Sequence, residues 1–399
     1  MKSNDGLSKI GLIGCSAINS LLYMFLNTFM VAYFITLTNY NYKLISIYYI
    51  MSFVFILLTF LLLGKIVKNK TQVIIYRIGI IMYCIYILLI ALLKEEIINY
   101  YIYLGSFYGI VQGFFWVAGH SLTNEYAKDE TNDFISIKSI IGKILKIILP
   151  FILGISIELT SFSNVAKIIL IFSVLELSFS FLIKDRQKIN SKKYDLIEYI
   201  HYIKDNKTFK QFYGIIACDG IVSYLLDTLI TILIVMNFKT MISLGTLTTI
   251  FSVCSILSVY IFQRKLGNNN KILIISAVLM VLSVILLLID INKVTIIIYN
   301  LIDSVFLVLL INNVETKRYE VVNNDQKVIS DYLVEHQVAS EVALNISRII
   351  GYLILFIASL FNNMIIFKVL LIISTIFIII YCYLMVKLSQ KKDINVYEC

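Results

Sequence analysis

Residues 184–210 read KDRQKINSKKYDLIEYIHYIKDNKTFK and hold eight Lys or Arg side chains against four acids. Long apolar runs occupy most of the chain on both sides of this basic stretch. A helix needs about 20 apolar residues to cross the hydrocarbon core of a bilayer. By this measure six runs precede the basic stretch and six follow it. We therefore predict an all-α, polytopic membrane protein with twelve transmembrane helices.

The run lengths also predict how the chain is divided. Hydrophobic residues make up 59% of the chain and charged residues 15%, so no separate soluble domain is expected. We predict an N-terminal six-helix bundle (1–183), a cytoplasmic basic linker (184–210) and a C-terminal six-helix bundle (211–399). The predicted spans are 10–37, 44–64, 72–93, 98–119, 138–160, 165–183, 211–237, 243–262, 272–289, 294–313, 338–361 and 364–386.

Basic residues predict the orientation of these spans. With the N-terminus inside, the inner segments hold 23 Lys and Arg residues and the outer segments six. Cytoplasmic loops are the ones enriched in Lys and Arg, so both termini are predicted to be cytoplasmic. The net charge of +9 thus reflects membrane topology and anionic lipid headgroups, and no nucleic-acid partner is expected. The Ile, Lys and Asn content favours a bacterial inner membrane.

A short helix is one interpretation of the linker, and a plain charged tether is the other. In the helical interpretation one face is apolar and lies at the membrane interface. As a tether between two bundles, the linker should tolerate changes of sequence. The residues of the apolar face are Leu196, Ile197, Ile200 and Ile203.

The layout resembles the major facilitator superfamily. Two six-span halves, inside termini and a long basic central loop are shared with that family. GFFWVAGHSLTNEYA from Gly113 and SEVALNISRIIG from Ser340 resemble a poorly characterised Firmicutes branch of it. The family's hallmark loop has a Gly followed by an Asp, whereas GKIVKNKT from Gly64 places Lys68 where that Asp is expected.

The resemblance implies a secondary transporter that moves a small molecule by alternating access. We expect proton-driven export of an amphipathic solute by a monomer without a cofactor. The chain shows no phosphate-binding Gly loop, no Ser/His/Asp signature and no metal-ligand spacing, so an enzyme is not expected. A non-transporting receptor or scaffold, or a membrane-embedded transferase using the loop 120–133, is the alternative.

Three aspartates within predicted spans are candidates for binding a coupling ion or the substrate. A charge at the centre of a span costs about 2.5 to 3.5 kcal/mol, so it requires a partner, water or a proton. A carboxylate buried in this way can hold a proton near neutral pH. A hydrogen bond that only helps helices to pack is the alternative. The candidates are Asp227, Asp303 and Asp219.

A second group of charges is expected at an inner gate. Glu341, Asn345 and Arg348 follow each other at i, i+4 and i+7, which places them on one stripe of a helix. The resemblance implies that Glu341 meets a lysine of span five when the cytoplasmic side closes. Pairing of Glu341 with Arg348 inside the helix is the alternative. The lysines are Lys138, Lys143 and Lys146.

Aromatic residues near the end of span four are candidates for lining a substrate cavity. Trp116 and Phe115 would offer apolar surface to a lipophilic solute. An aromatic belt or packing against lipid is the alternative explanation for them.

Overall fold

The computed structural model describes residues 2–69, 72–127, 131–185, 192–263, 270–361 and 364–396, and within these ranges it contains helices and no strand. The chain divides into two compact units. Unit 1 comprises Met1–Tyr194 and Lys239–Thr249. Unit 2 comprises Asp195–Phe238 and Ile250–Cys399.

Unit 1 contains the first seven helices. A five-residue π-helical segment, Phe25–Phe29, joins α1 to α2, and a 3-10 turn, Lys94–Ile98, follows α4. The helices are α1 (Lys2–Met24), α2 (Met30–Leu37), α3 (Lys43–Asn69), α4 (Gln72–Leu93), α5 (Tyr101–Ala127), α6 (Thr131–Leu159) and α7 (Phe162–Ser180).

Unit 2 contains the remaining helices, although the first part of α10 belongs to unit 1. Two of them, α8 and α13, are short and amphipathic or polar, and the others are long. The helices are α8 (Leu196–Lys204), α9 (Lys207–Phe238), α10 (Met241–Ser258), α11 (Asn270–Ile289), α12 (Lys293–Asn323), α13 (Gln326–Asp331), α14 (Leu333–Ser359) and α15 (Met364–Val396).

Eleven helical stretches in the described part of the chain are long and apolar enough to cross a membrane. The predicted span 294–313 lies in α12, and side chains at 310–320 are outside the described residues. The all-α, polytopic prediction is confirmed. The eleven stretches are Asp5–Leu37, Lys43–Lys68, Gln72–Ile98, Tyr101–Thr123, Ile137–Leu159, Phe162–Ser180, Lys207–Phe238, Met241–Ile261, Lys271–Ile289, Leu333–Ser359 and Phe367–Leu388.

Glycines bring α3 and α5 into close contact in unit 1. Gly105, Gly109 and Gly113 recur every four residues of α5, and a Cβ at any of them would overlap atoms of α3. Ser52 Oγ of α3 donates a hydrogen bond to the Gly105 carbonyl across this seam, at 3.0 Å. Small residues at this spacing let two helix backbones approach closely in a membrane, where packing replaces the hydrophobic effect.

The start of α10 packs against α6, which explains why residues 239–249 belong to unit 1. Gly154 and Gly245 lie at this contact, with the Cα atom of each 3.2 Å from the Cβ position of the other. Glu158 accepts a hydrogen bond from the backbone N–H of Met241 at 2.8 Å. Thr249 Oγ1 donates to the Ile147 carbonyl at 2.9 Å. The two helices therefore run antiparallel along this contact.

The linker residues from Asp195 onward belong to unit 2, where Leu196–Lys204 form α8 and the residues from Lys207 begin α9. Asp195 caps the helix by accepting from the Glu198 N–H at 2.9 Å. The predicted apolar face is divided. Ile203 is buried at 9% exposure, whereas Ile197 and Ile200 are 69% and 48% exposed. Tyr199, which was not assigned to that face, is fully buried and directs the packing of the helix.

Polar contacts fasten α8 to the start of α14. The Tyr199 hydroxyl lies 2.6 Å from His336 Nδ1 and 3.0 Å from the Tyr213 hydroxyl. Tyr332 donates to Glu198 Oε1 at 2.9 Å, and the Asp195 N–H donates to Glu335 Oε1 at 3.0 Å. Burial raises the pKa of Tyr199, so its phenol stays protonated. The expectation of a sequence-tolerant tether does not hold for this part of the linker.

Gly109→Ala is expected to destabilise the protein, because the added methyl group would overlap Ser52 O and approach Phe55 Cβ to 2.8 Å. Overpacking of this kind costs about 1 to 3 kcal/mol. Gly142→Ala in α6 is the matched control, since nothing lies within 4 Å of its Cβ position. Thermal unfolding of the purified variants should show a lower Tm for Gly109→Ala only. Equal Tm values would contradict the close contact.

Tyr199→Phe is expected to loosen α8, because it removes the hydroxyl that His336 and Tyr213 share. Leaving buried polar groups without this contact costs about 1 to 3 kcal/mol. Hydrogen–deuterium exchange should become faster in residues 196–204. Ile197→Ala, at a site 69% exposed, should leave the exchange unchanged. Unchanged protection in Tyr199→Phe would show that the hydroxyl does not hold the helix.

Candidate functional site

Three helices of unit 2 bring two of the candidate aspartates together. Asp227 lies on α9 and Asp303 on α12, and the two carboxyl groups interact electrostatically. Asp227 is exposed, whereas Asp303 is half-buried. The Tyr299 hydroxyl, one turn before Asp303 on α12, lies 3.5 Å from Asp303 Oδ1 and donates toward it. We call Asp227, Thr228, Tyr299, Asp303 and Tyr352 the aspartate cluster.

The third helix, α14, closes this cluster through Tyr352. The Tyr352 hydroxyl is hydrogen-bonded to Thr228 Oγ1, and both side chains are buried. Tyr352 also interacts electrostatically with Asp227 and with Arg348. Three buried hydroxyl groups thus belong to the cluster, and that of Tyr299 donates toward Asp303. This arrangement can accept and donate hydrogen bonds whether or not an aspartate carries a proton.

Asp219 is not part of the aspartate cluster. It lies two turns earlier on α9, is half-buried, and accepts a hydrogen bond from Ser223 Oγ at 2.8 Å. The i to i+4 spacing of this pair makes it a contact within one helix. Ser223 thus provides a hydrogen-bond partner for Asp219 within α9, whereas Asp227 interacts with groups of other helices.

The predicted stripe on α14 is a continuous chain of hydrogen bonds. Asn345, which is fully buried, donates to the Glu341 carbonyl at 2.7 Å and to Glu341 Oε2 at 3.4 Å. Arg348 donates to Asn345 Oδ1 at 3.1 Å. The guanidinium carbon of Arg348 also lies 4.0 Å from the centre of the Tyr224 ring on α9. Asn345 thus links the acid to the base within the helix.

The three lysines of α6 differ in their surroundings within unit 1. Lys138 is half-buried and donates to Thr123 Oγ1 at 3.2 Å. Lys143 and Lys146 are exposed. A cation on an exposed face of a helix remains available to a partner that arrives with a change of conformation.

The aromatic candidates of α5 have different positions. Phe115 is 3% exposed and packs 4.9 Å from the Tyr76 ring and 5.6 Å from the Tyr83 ring, measured between centroids. It therefore contributes to the helix interface in this conformation and does not line open space. Trp116 is half-buried, and its ring stacks on His120 at 5.1 Å.

Gln112 is the centre of a hydrogen-bond network in unit 1 that the sequence interpretation missed. Its Nε2 atom donates to the hydroxyls of Tyr83 and Tyr108, each at 2.6 Å, and its Oε1 atom accepts from Trp116 Nε1. Asn27, in the π-helical segment, donates to the same Tyr108 hydroxyl at 2.9 Å. The only signal in the sequence is the i to i+4 spacing of Tyr108, Gln112 and Trp116.

Asp185 was also missed, and it supplies a carboxylate near the hallmark loop. The loop from Gly64 has no acid, but Asp185 Oδ1 accepts a hydrogen bond from the Val73 N–H at 3.1 Å. Val73 lies in the first turn of α4, where N–H groups have no partner within the helix. A carboxylate is favourable there. An acid from the end of the first half thus caps the helix that follows the loop.

The sequence matches the Major Facilitator Superfamily over residues 12–314. The chain belongs to this superfamily. It is 23% identical over 341 residues to the uncharacterized protein YqgE of Bacillus subtilis (strain 168), which covers 82% of this chain and 77% of the relative. It is also 30% identical over 77 residues to an uncharacterized protein in the sodM 3' region of Geobacillus stearothermophilus. This match covers 19% of this chain and 36% of the relative.

Solved structures of transporters share the fold. The nucleoside transporter NupG is similar with a TM-score of 0.67 and 16% identity, over 96% of this chain and 98% of that one. A bacterial homologue of the iron transporter ferroportin, in an inward-facing state, is similar with a TM-score of 0.68 and 12% identity. The match covers 98% of this chain and 99% of that one. The predicted resemblance is therefore confirmed. The chain is a multi-pass membrane transporter of the secondary type and not an enzyme.

Proposed function

We propose that this transporter couples proton movement to the export of a small amphipathic solute across the bacterial inner membrane, by alternating access between two six-helix bundles. The aspartate cluster carries this proposal. Two carboxyl groups on different helices feel each other's charge, and one of them is exposed. Like charges in such a pair disfavour double ionisation, which favours a proton on one of the two carboxyl groups. The exposed member can exchange that proton with water.

The stripe on α14 supports a connection between proton binding and conformation. Arg348 interacts with Tyr352 of the cluster and also donates to Asn345, which in turn donates to Glu341. A change of charge at Asp227 would therefore be felt along α14. In the proposed cycle Glu341 pairs with a lysine of α6 when the inner side is closed. Breaking such a pair leaves an uncompensated charge and biases two conformations.

The character of the spans supports the proposed direction and substrate class. Aromatic residues make up 13% of the chain, and hydrophobic residues 59%. Trp116 offers a half-buried aromatic surface beside the amide of Gln112. These surfaces suit a solute with both apolar and polar parts, and export is the direction in which a cell moves such compounds when they enter through lipid.

A coupled flux assay tests the aspartates. A thermal-shift screen of the purified protein first identifies a stabilising solute, and pH-driven accumulation of that solute is then measured in proteoliposomes. Asp227→Asn and Asp303→Asn should each lower uphill accumulation by at least about tenfold, which corresponds to 1.4 kcal/mol, while downhill exchange persists. Asp290→Asn, an exposed aspartate between α11 and α12, is the control. Undiminished accumulation in both variants would contradict proton coupling at this cluster.

Charge reversal tests the inner gate. Glu341→Lys should lower flux, and so should the matching reversal in α6, because each leaves two like charges together. Combining Glu341→Lys with the correct one of Lys138→Glu, Lys143→Glu or Lys146→Glu should restore flux. Coupling between partners in contact is about 0.5 to 3 kcal/mol. If none of the three double variants shows a higher flux than its single variants, Glu341 has no lysine partner in α6.

A further inference from the structure

Glu176 of α7 is a buried acid that the proposed transport mechanism does not use. Its side chain is fully buried in unit 1. Neither of its carboxyl oxygens has a hydrogen-bond partner within the part of the chain that the structure describes. Buried polar groups in proteins nearly always have such partners, and in a membrane-spanning helix water does not supply them. An ionised carboxylate in this position would therefore be unusually unfavourable.

The neighbours of Glu176 are neutral groups of α1 and α4. Among the described residues, two thiols and two phenols interact electrostatically with it, and such groups are uncharged in water at pH 7. Cys15 Sγ donates to the Glu176 backbone carbonyl at 3.4 Å, so α1 lies directly against this turn of α7. The four are Cys15, Tyr76, Tyr83 and Cys84.

Four basic residues of the helices packed on α7 are bonded to other groups or exposed, and Lys9 of α1 is half-buried six residues before Cys15. Arg77 of α4 is the nearest in sequence, but it donates to the carbonyls of Ser180 and Ile183 and so caps the end of α7. Lys138 of α6 donates to Thr123, and Lys143 and Lys146 are exposed. The acid of α6, Glu158, accepts from the Met241 N–H. None of these contacts compensates a charge on Glu176.

A second polar atom without a hydrogen-bond partner lies near Glu176. Asn19 of α1 is 4% exposed, and its Nδ2 atom lacks a partner among the described residues. Asn19 lies one helical turn after Cys15, whose thiol contacts the Glu176 carbonyl. The site thus contains an acid without donors and, close to it, an amide donor without an acceptor.

We propose that Glu176 binds a proton inside unit 1, at a site separate from the aspartate cluster of unit 2. The bound proton removes the uncompensated charge, and the packed state of α1, α4 and α7 is the state that holds it. When α7 moves away from α1, the acid releases the proton to water, and the amide of Asn19 becomes a donor for the carboxylate.

The groups around Glu176 favour a proton over a metal cation. Sodium and other hard cations require several oxygen ligands, whereas the side chains of α1 and α4 here include two thiols. No group of three or more His, Cys, Asp or Glu side chains suited to a metal occurs among the described residues. A proton needs only the carboxyl group itself and a closed, apolar surrounding.

The close contact of α1 with α7 provides this closure. A Cβ at Gly14 would lie 2.7 Å from the Phe179 ring, and one at Gly11 would lie 2.9 Å from the Phe179 carbonyl. Glycine at both positions lets the two helices approach closely. Separation of this contact exposes the turn that carries Glu176.

Infrared spectroscopy of the purified protein in lipid tests the proposal. At pH 7 the wild type should show a carboxylic-acid carbonyl band that shifts in D2O and disappears reversibly at alkaline pH. Glu176→Gln, which resembles the protonated acid and should fold, should remove this component of the band. Any component from the aspartate cluster should remain, and Asp227→Asn and Asp303→Asn identify it. Glu95→Gln, at an exposed acid in the turn after α4, is the control and should leave the band unchanged.

Glu176→Asp is a second variant, in case Glu176→Gln does not fold. It retains an acid, so it should change the frequency of the carbonyl band without removing it. Two results would overturn the proposal. One is an ionised Glu176 at pH 7, with or without sodium in the buffer. The other is an acid band that neither shifts in D2O nor titrates, which would indicate a permanently sealed structural acid. Both results concern unit 1 and are independent of flux through the aspartate cluster.

Discussion

The whole structure depends on the cost of placing polar groups where water cannot reach them. Helices satisfy the backbone, and side chains must then find partners on neighbouring helices. Unit 1 meets this requirement with neutral groups, since Gln112 links Trp116 to the tyrosines of α4 and α5. Unit 2 instead places Asp227 and Asp303 on neighbouring helices, where their carboxyl groups interact electrostatically. The two carboxyl groups of unit 2 therefore lie where the Tyr299 hydroxyl can donate a hydrogen bond and where Asp227 is exposed.

Close packing determines how these groups meet. The glycines of α5 allow α3 to approach, and Gly220 of α9 lies against Ser347 and Leu344 of α14. The second contact keeps α9 and α14 close enough for Thr228 to bond Tyr352 and for Arg348 to lie on Tyr224. Because Arg348 continues through Asn345 to Glu341, one helix carries both the contact to the aspartate cluster and the proposed gate residue.

Much of the fold could be predicted from the sequence, because a run of about 20 apolar residues is itself sufficient to indicate a span. The aspartates could be singled out for the same reason, as charges in such runs are rare. The proximity of Asp227 to Asp303 could not be predicted, since the two residues lie on helices far apart in the chain. Tyr299 and Tyr352 carry no charge and resemble other aromatic residues of the spans. The face of α8 was misjudged because its partner His336 is 137 residues from Tyr199.

In the proposed mechanism, proton binding at Asp227 and Asp303 shifts the protein between two conformations. A distance measurement by pulsed electron paramagnetic resonance tests this without a known substrate. Spin labels at Lys43→Cys in unit 1 and Asp290→Cys in unit 2 would be placed in a background with the native cysteines replaced by Ser. We predict two distance populations whose ratio changes with pH in this protein and is constant once Asp227→Asn and Asp303→Asn are added. One population at every pH, or the same pH response in the variants, would contradict the account.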